Sequence, residues 1–149
     1  MPLTDVKAHT FAEAPDDWTE AALRELEANQ FNGRVGQQLV SETHLVRVWM
    51  IHLESGERLP FHRHVLDYFW TALLPGKARS RYGDGSVRLY EYERGETLHL
   101  SYSGGSSMVH DLTNIGDTPI AFVTVEFIDS PNRPLELDAA TTGRLKSGD

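Results

Sequence analysis

The sequence predicts an all-β fold, a sandwich or a barrel, with one helix near its N-terminus. Between residues 32 and 130, turn-forming pairs follow one another at short spacing: Asn32-Gly33, Ser55-Gly56, Pro75-Gly76, Asp84-Gly85, Arg94-Gly95, Gly104-Gly105 and Gly116-Asp117. The segments between these pairs are rich in Val, Ile, Thr and aromatic residues, which favour strands. Many short strands joined by frequent turns are typical of sandwiches and barrels.

Length and composition indicate a single globular domain and exclude several kinds of function. The chain has 149 residues and a formal net charge of −8. This acidic balance argues against nucleic acid as a partner, because phosphate binding requires a basic surface. The absence of cysteine excludes disulfides, thiolate nucleophiles and zinc–cysteine sites. Since there is neither a signal-peptide pattern nor an apolar run of ~18 residues, we expect a cytoplasmic protein with no membrane partner.

The stretch APDDWTEAALRELEANQF predicts the helix. Asp16 or Asp17 is the expected N-cap, with Glu20 as the capping-box partner of Asp17. Apolar residues recur at helical spacing after it: Ala22, Leu23 and Leu26. We expect residues 1–33 to form an N-terminal arm and this helix.

The barrel itself is expected over residues 34–130, followed by a tail, residues 131–149, that is loop-like or lies along the surface. Six segments within the barrel are predicted as strands: LVRVWMIHL, DYFWTALL, ARSRY, SVRLYEY, TLHLSY and IAFVTVEFI. Because open sheet edges are usually covered in a small barrel, we also expect a homodimer through the strands near residues 34–53.

Three of the seven histidines indicate a metal site. In a strand, His62 and His64 present both imidazoles to one face while Arg63 faces the other way. Such a pair is half of a site for a transition metal, although an exposed strand edge would carry the same residues as ordinary polar groups. His110, just before Asn114 and a Gly-Asp turn, offers a third ligand from a separate strand.

These residues give the chain a resemblance to the small-molecule cupins. The first cupin motif, G(X)5HXH(X)3–4E, is matched by Gly56, His62 and His64 up to the glutamate. The second, G(X)5PXG(X)2H(X)3N, is opened by Gly95 and closed by His110 with Asn114 at the expected spacing. The run HRHVLDY is also similar to a branch of small bacterial single-domain cupins that includes β-alanine-degradation-type members.

The resemblance implies a single-domain cupin fold, a double-stranded β-helix or jelly-roll barrel. It also implies that His62, His64 and His110 hold a divalent transition metal, which is iron, zinc, manganese or nickel. The chain departs from both motifs. Tyr68 replaces the first-motif glutamate, where it is either a fourth ligand or a catalytic group that bonds to the metal's water. Ser101 replaces the second-motif proline, and a Gly/Ser-rich stretch, residues 103–107, is either a mobile lid or a lengthened turn.

Other residues are candidates for binding a substrate. Arg79 and Arg81 share one strand face and either pair with a substrate carboxylate or form a solvated outer surface. Trp70 is a candidate pocket residue. The same two interpretations, pocket or packing, apply to the other strand aromatics: Trp49, Tyr82, Tyr90 and Tyr92.

Two functions fit this pattern. One is a metal-dependent enzyme, of dioxygenase, isomerase or lyase type, that acts on a small organic acid or related metabolite. The other is a non-catalytic cupin that binds or senses a small ligand. The missing glutamate leaves both interpretations open, because a site of three neutral histidines favours an anionic ligand whether or not that ligand reacts.

Overall fold

Two five-stranded antiparallel sheets form the body of the protein in the computed structural model, which describes residues 8–11, 18–143 and 145. In chain order the elements are β1 Ala8–Phe11, α1 Glu20–Ala28, β2 Gln38–Glu42, β3 Val46–Leu53, β4 Arg58–His64, β5 Tyr68–Ala72, β6 Gly76–Arg81, β7 Val87–Tyr92, β8 Thr97–Leu100, β9 Met108–Asn114, β10 Ile120–Phe127 and α2 Ala139–Thr142. Among these described residues, no helix has the length and apolar character needed to cross a membrane.

The strand order explains how the core and the site come together. The first sheet runs β1-β7-β6-β9-β4, and the second runs β2-β3-β10-β5-β8. Apolar side chains from both sheets fill the space between them, including the fully buried Leu53, Ala72 and Ile120. This arrangement confirms the predicted all-β class and places the inward side chains of β4 and β9 opposite those of β5 and β10.

The predicted strand segments contain β3, β5, β7, β8 and β10 and most of β6, whereas β1, β2, β4 and β9 fell outside them. The sequence MVHDLTN of β9 carries polar residues toward both faces, so it shows no apolar alternation. The strand Ala8–Phe11 pairs with β7 and adds an edge strand to the first sheet from within the N-terminal arm.

The helix begins later than the sequence indicated. Its N-cap is Thr19, whose hydroxyl accepts a hydrogen bond from the Ala22 amide at 3.1 Å. The prediction of Asp16 or Asp17 as N-cap was therefore wrong; both residues lie outside the described part of the chain. The helix packs against β4 through one side, on which Ala22 is buried, whereas Leu23 is 50 % exposed.

The glycines that open the two sequence motifs both lie in turns that require their conformational freedom. Gly56 has φ +84° and Gly95 has φ +85°. A side chain is strained in this left-handed region, so glycine at these two positions sets the turns before β4 and β8.

A buried ionic network fixes the outer face of the first sheet beneath α1. The Asp111 side chain is fully buried and accepts hydrogen bonds from Arg81 Nε at 2.9 Å and Arg81 Nη2 at 2.7 Å. Arg58 Nη2 donates to the same carboxylate at 2.9 Å, and Arg58 also forms a bidentate pair with Glu25 on α1. The Arg58 guanidinium holds the pKa of Glu25 below its usual value. The network therefore joins the helix to β4, β6 and β9.

The C-terminal tail packs against the second sheet. Leu137 and Leu145 lie against a small apolar cluster formed by Val35, Leu39 and Trp49. Arg47 Nη1 donates a hydrogen bond to the Leu135 carbonyl at 3.2 Å. The described part of the tail thus lacks regular structure until α2 but contacts the sheet through Leu135, Leu137 and Leu145.

Replacing Asp111 with alanine is expected to lower the free energy of unfolding by about 3 kcal/mol, because it leaves the buried Arg81 guanidinium and the half-buried Arg58 guanidinium without their shared carboxylate. Urea denaturation monitored by circular dichroism measures this loss. Asp117→Ala, at an exposed position, is the matched control and should change stability little. A loss for Asp111→Ala no larger than that of the control would contradict the structural role of the network.

Candidate metal centre

Three histidines converge inside the barrel. His62 on β4 lies directly opposite His110 on β9, and His64 follows on the same face. Their ring centroids are 4.7 to 5.1 Å apart, and His110 Nε2 lies 3.2 Å from His64 Nε2. The nitrogen atoms that could bind a metal all lie within 4.8 Å of one another. The structure thus brings together the three predicted metal ligands.

A β-bulge turns these histidines inward. The register between β4 and β9 shifts between Leu59 and His62, so that β4 carries one residue more than its partner over this interval. Leu59 and His62 consequently line the same cavity although they are three residues apart. Regular alternation from Leu59 would instead have pointed Phe61 and Arg63 inward and both histidines outward.

The helix and the loop after it hold the bulged segment from outside. The Phe61 amide donates to Glu25 Oε2 at 3.1 Å. The Phe61 carbonyl accepts from Asn29 Nδ2 at 3.0 Å and from Asn32 Nδ2 at 2.9 Å, and the Arg63 amide donates to the Asn32 carbonyl at 2.7 Å. Because β4 is an edge strand, these contacts satisfy backbone groups that no neighbouring strand reaches. We call Glu25, Asn29 and Asn32 the bracket.

The protonation of the rings suits metal binding. His62 Nδ1 lies 2.8 Å from the Pro60 carbonyl, which can only accept, so this nitrogen carries the proton and Nε2 keeps its lone pair. Burial lowers the pKa of His62 to about 4. Burial, together with the neighbouring imidazoles, lowers the pKa of His64 and of His110 well below the usual value. All three rings are therefore neutral near pH 7, as metal ligation requires.

The geometry of the two Nε2 atoms also fits a metal. Two metal–nitrogen bonds of ~2.1 Å that meet at ~100° place their nitrogens about 3.2 Å apart. This matches the distance from His64 Nε2 to His110 Nε2. Neutral imidazoles suit zinc, iron, nickel and related ions, so the donor set fits the divalent transition metal that the sequence predicted.

The histidines open into a small, largely apolar cavity of about 60 Å³. Its other lining residues are Val35, Ile51, Leu59, Tyr68, Trp70, Tyr92, Leu112, Phe122 and Thr124. Among the residues that the structure describes, no carboxylate, lysine or arginine lines it. The electrostatic character of this cavity is therefore set by the histidines and by what they bind.

Tyr68, the predicted catalytic residue, lies against His64. The two rings stack with centroids 4.1 Å apart and planes 12° from parallel. Burial raises the pKa of Tyr68 well above its usual value. Without a bound ion the phenol therefore keeps its proton and can donate a hydrogen bond.

Of the three predicted substrate-binding residues, the structure brings only Trp70 to the cavity. Its ring makes edge contacts with Tyr92 and Phe122 at centroid distances of 5.3 and 5.7 Å. The prediction for Arg81 was wrong, because its guanidinium binds Asp111 on the outer face of the sheet. Arg79 shares that outward face, since Ser80 between them points inward.

The remaining second-motif residues have structural roles. Asn114 Nδ2 donates to the carbonyls of Leu53 and Thr118, both at 2.9 Å, and so secures the turn before β10. The Gly/Ser-rich stretch forms a tight turn in which Gly105 N donates to Asn132 Oδ1 at 2.8 Å. This contact favours the lengthened turn over the lid.

Sequence reasoning missed a buried carboxylate beside the site. Glu126 is only 3 % exposed, accepts a hydrogen bond from Trp49 Nε1 at 2.8 Å, and lies opposite Tyr68 across the β5–β10 pair. Burial raises the pKa of Glu126 to about 7, partly opposed by the Trp49 hydrogen bond. The sequence places Phe122, Thr124 and Glu126 on one face of a strand, because alternate residues share a face. It does not show whether that face points into the barrel or away from it.

Removing both side-chain donors to the Phe61 carbonyl should weaken metal binding. For the double variant Asn29→Ala/Asn32→Ala we expect a stability loss of about 1–3 kcal/mol. We also expect a metal affinity lower by about 10- to 100-fold, the usual effect of losing groups that orient a ligand. Calorimetric titration with Zn²⁺ measures the affinity. Arg24→Ala, on the exposed side of α1, should behave as wild type; an unchanged affinity in the double variant would rule out the bracket's influence on the site.

Glu126 should make stability depend on pH. Its pKa is raised from 4.5 to about 7 on folding, so the stability that its neutral form provides is complete below about pH 4.5 and is lost as the pH rises through about 7. The expected loss is on the order of 3 kcal/mol. The free energy of unfolding should therefore fall between pH 5 and pH 8 in wild type. In Glu126→Gln this fall should be smaller by about the amount just given. The exposed Glu91→Gln variant should retain the wild-type difference; the same retention in Glu126→Gln would refute the prediction.

Comparison with known proteins supports the fold. No protein-family model matches the sequence, and no curated protein gives a significant match. Among solved structures, a cupin domain from Bordetella pertussis Tohama I is similar with a TM-score of 0.53 and 23 % identity, over 60 % of this chain and 88 % of that one. A double-stranded β-helix protein from Klebsiella pneumoniae has a TM-score of 0.48 and 26 % identity over 67 % and 72 % of the two chains. A Bacillus subtilis oxalate decarboxylase variant has a TM-score of 0.43 and 25 % identity, over 55 % of this chain and 21 % of that one. The two sheets, the turn glycines and the first of these structures together show that this chain has the cupin double-stranded β-helix fold.

Proposed function

We propose that this protein is a metal-dependent enzyme that acts on a small organic acid or a related metabolite. The observation that carries the proposal is the convergence of three neutral imidazoles on a small cavity, two of them buried and the third, His110, half-buried. Separate strands supply these ligands, and a bulge is maintained to point two of them inward. Such an arrangement is costly for a core that needs only apolar packing.

His62, His64 and His110 would hold the metal through nitrogen atoms that face the cavity. The bound ion would supply a Lewis acid or, if it is iron, an oxygen-activating centre. The Pro60 carbonyl fixes the tautomer of His62, and the Tyr68 ring restricts the rotation of His64. Three protein ligands leave positions on the ion for a substrate.

The charge of the site favours an anion. Three neutral ligands leave the charge of a divalent ion uncompensated, and the described lining of the cavity contains no carboxylate to offset it. A substrate carboxylate would provide that compensation. The protonated Tyr68 hydroxyl would donate a hydrogen bond to an oxygen of the bound acid, and Trp70, Leu112 and Phe122 would keep bulk water away.

A non-catalytic binding protein or sensor is the second candidate function. It is favoured by one specific observation, which is that no carboxylate or lysine that could act as general acid or base lines the cavity in the described part of the chain. The expected homodimer stays a prediction; β2, within residues 34–53, is an edge strand of the second sheet and is suitably placed for it.

The test of the metal site is the metal content of untagged protein after reconstitution with Fe²⁺, Mn²⁺, Ni²⁺ or Zn²⁺. Wild type should retain about one ion per chain, whereas His62→Ala and His110→Ala should retain at least tenfold less, because two imidazoles bind far more weakly than three. His52→Ala and His99→Ala, at exposed strand positions, are the matched controls and should retain metal as wild type does. Equal metal content in all five proteins would refute the site.

Turnover then separates the enzyme from the binding protein. Loaded wild type is incubated with small carboxylates while oxygen consumption and product formation are followed. Conversion that depends on His62 and His110 supports the enzyme. Tight binding of a carboxylate to the loaded protein, with no conversion across the set, supports the sensor.

A further inference from the structure

A second cavity adjoins the metal cavity inside the barrel. Its volume is about 40 Å³, and it shares four lining residues with the metal cavity: Tyr68, Trp70, Tyr92 and His110. Ser80, Tyr82 and Tyr90 line only the second cavity, which we call the tyrosine chamber. Because His110 borders both spaces, a ligand bound at the three histidines can extend into the chamber.

The chamber offers neutral hydrogen-bond donors. The hydroxyl groups of Tyr82 and Tyr90 are hydrogen-bonded to each other, and both side chains are less than one-tenth exposed. A phenol ordinarily carries its proton near neutral pH, so both hydroxyls can donate hydrogen bonds. The mutual bond uses one of these two protons and leaves the other to donate to a further acceptor. The buried hydroxyl of Ser80 lies on the neighbouring strand β6.

No charged side chain lines the tyrosine chamber: among the residues described, none that lines it is an acid, a lysine or an arginine. A cation close to it is Arg88, whose guanidinium carbon lies 5.5 Å from the centroid of the Tyr82 ring. Arg88 hydrogen-bonds to the Tyr90 side chain and interacts electrostatically with Asp84, so its charge is already engaged. Burying a carboxylate without a counter-charge is unfavourable, whereas a hydroxyl or carbonyl oxygen needs only a hydrogen bond.

We propose that the tyrosine chamber holds the distal end of the ligand and selects small monocarboxylates that carry a second, neutral oxygen. The carboxylate binds at the histidine-held metal, and the hydroxyl or carbonyl oxygen accepts a hydrogen bond from the Tyr82–Tyr90 pair. A water-sized volume is roughly 10–15 Å³, so the two cavities suit an acid of about three or four carbon atoms. This inference rests on the proposed metal site and specifies its substrate class as a hydroxy- or oxo-acid.

The experiment uses protein loaded with Co²⁺ and follows the visible absorption of the ion during titration with three three-carbon acids. Propionate lacks a distal oxygen, 3-hydroxypropionate has a neutral one, and malonate has a charged one. Wild type should bind 3-hydroxypropionate about five- to tenfold more tightly than propionate, the effect of one buried hydrogen bond, and should bind malonate no more tightly than propionate.

Variants assign the difference to the chamber. The double variant Tyr82→Phe/Tyr90→Phe, which removes both hydroxyls of the pair, should lose the preference for 3-hydroxypropionate. Thr97→Val is the control, because it removes a hydroxyl from an exposed position on β8 that lines neither cavity, and it should keep the preference. If thermal unfolding shows that the double variant does not fold, Tyr82→Phe and Tyr90→Phe are compared singly, and at least one of them should reduce the preference.

The outcomes separate this inference from the metal site. Equal binding of propionate and 3-hydroxypropionate by wild type, or tightest binding of malonate, overturns the inference while the Co²⁺ spectrum upholds the site. A preference that persists in Tyr82→Phe/Tyr90→Phe, or that is undiminished in both single variants, also overturns it. Failure of wild type to take up Co²⁺ overturns the proposed metal site, and the inference with it.

Discussion

The hydrogen bonds to the backbone of Phe61 are the constraint on which the site depends. The extra residue in β4 decides whether histidines or Phe61 and Arg63 face the cavity, and an edge strand has no second neighbour to fix its register. Here a helix takes the place of that neighbour. Glu25 and two asparagines satisfy the amide and carbonyl of Phe61, so residues outside the barrel determine which side chains lie inside it.

The two faces of the first sheet carry different groups: the candidate metal ligands face the cavity, and the charged residues face α1. On β9, His110 faces the cavity and the next residue, Asp111, faces the helix. The outer network acts on His62 in opposite directions, because Asp111 raises the pKa of His62 while Arg58 lowers it, and both effects are smaller than that of burial. Burial therefore dominates the protonation of His62, and the ring stays neutral despite several ions nearby. A network that holds the fold together can thus lie beside the site without changing its charge.

The sequence was sufficient for the fold class and the three histidines, because both depend on spacing. Alternate residues of a strand share a face, and the motif glycines lie in turns that need them. Spacing also shows that Arg79 and Arg81 share a face, but the packing of Ser80 and Tyr82 into the barrel decides which face that is. The bulge could not be predicted, since it depends on contacts with a helix more than thirty residues away in the sequence. Thr19 was missed as N-cap because neighbouring aspartates are equally good caps locally.

Tyr68 in place of the motif glutamate changes the charge of the site, because a neutral phenol replaces a carboxylate. In the position where the cupin motif has a glutamate, the chain has a phenol that keeps its proton, and Glu126 lies opposite it but is engaged by Trp49 and does not line the cavity. A bound divalent ion would consequently keep its full charge until an anion arrives. Such a site holds an anionic ligand more strongly than one that contains a carboxylate, and strong retention serves a sensor as well as an enzyme. The enzyme and the sensor therefore differ at this point, because an enzyme must release the anion once the substrate is converted, whereas a sensor gains from retaining it.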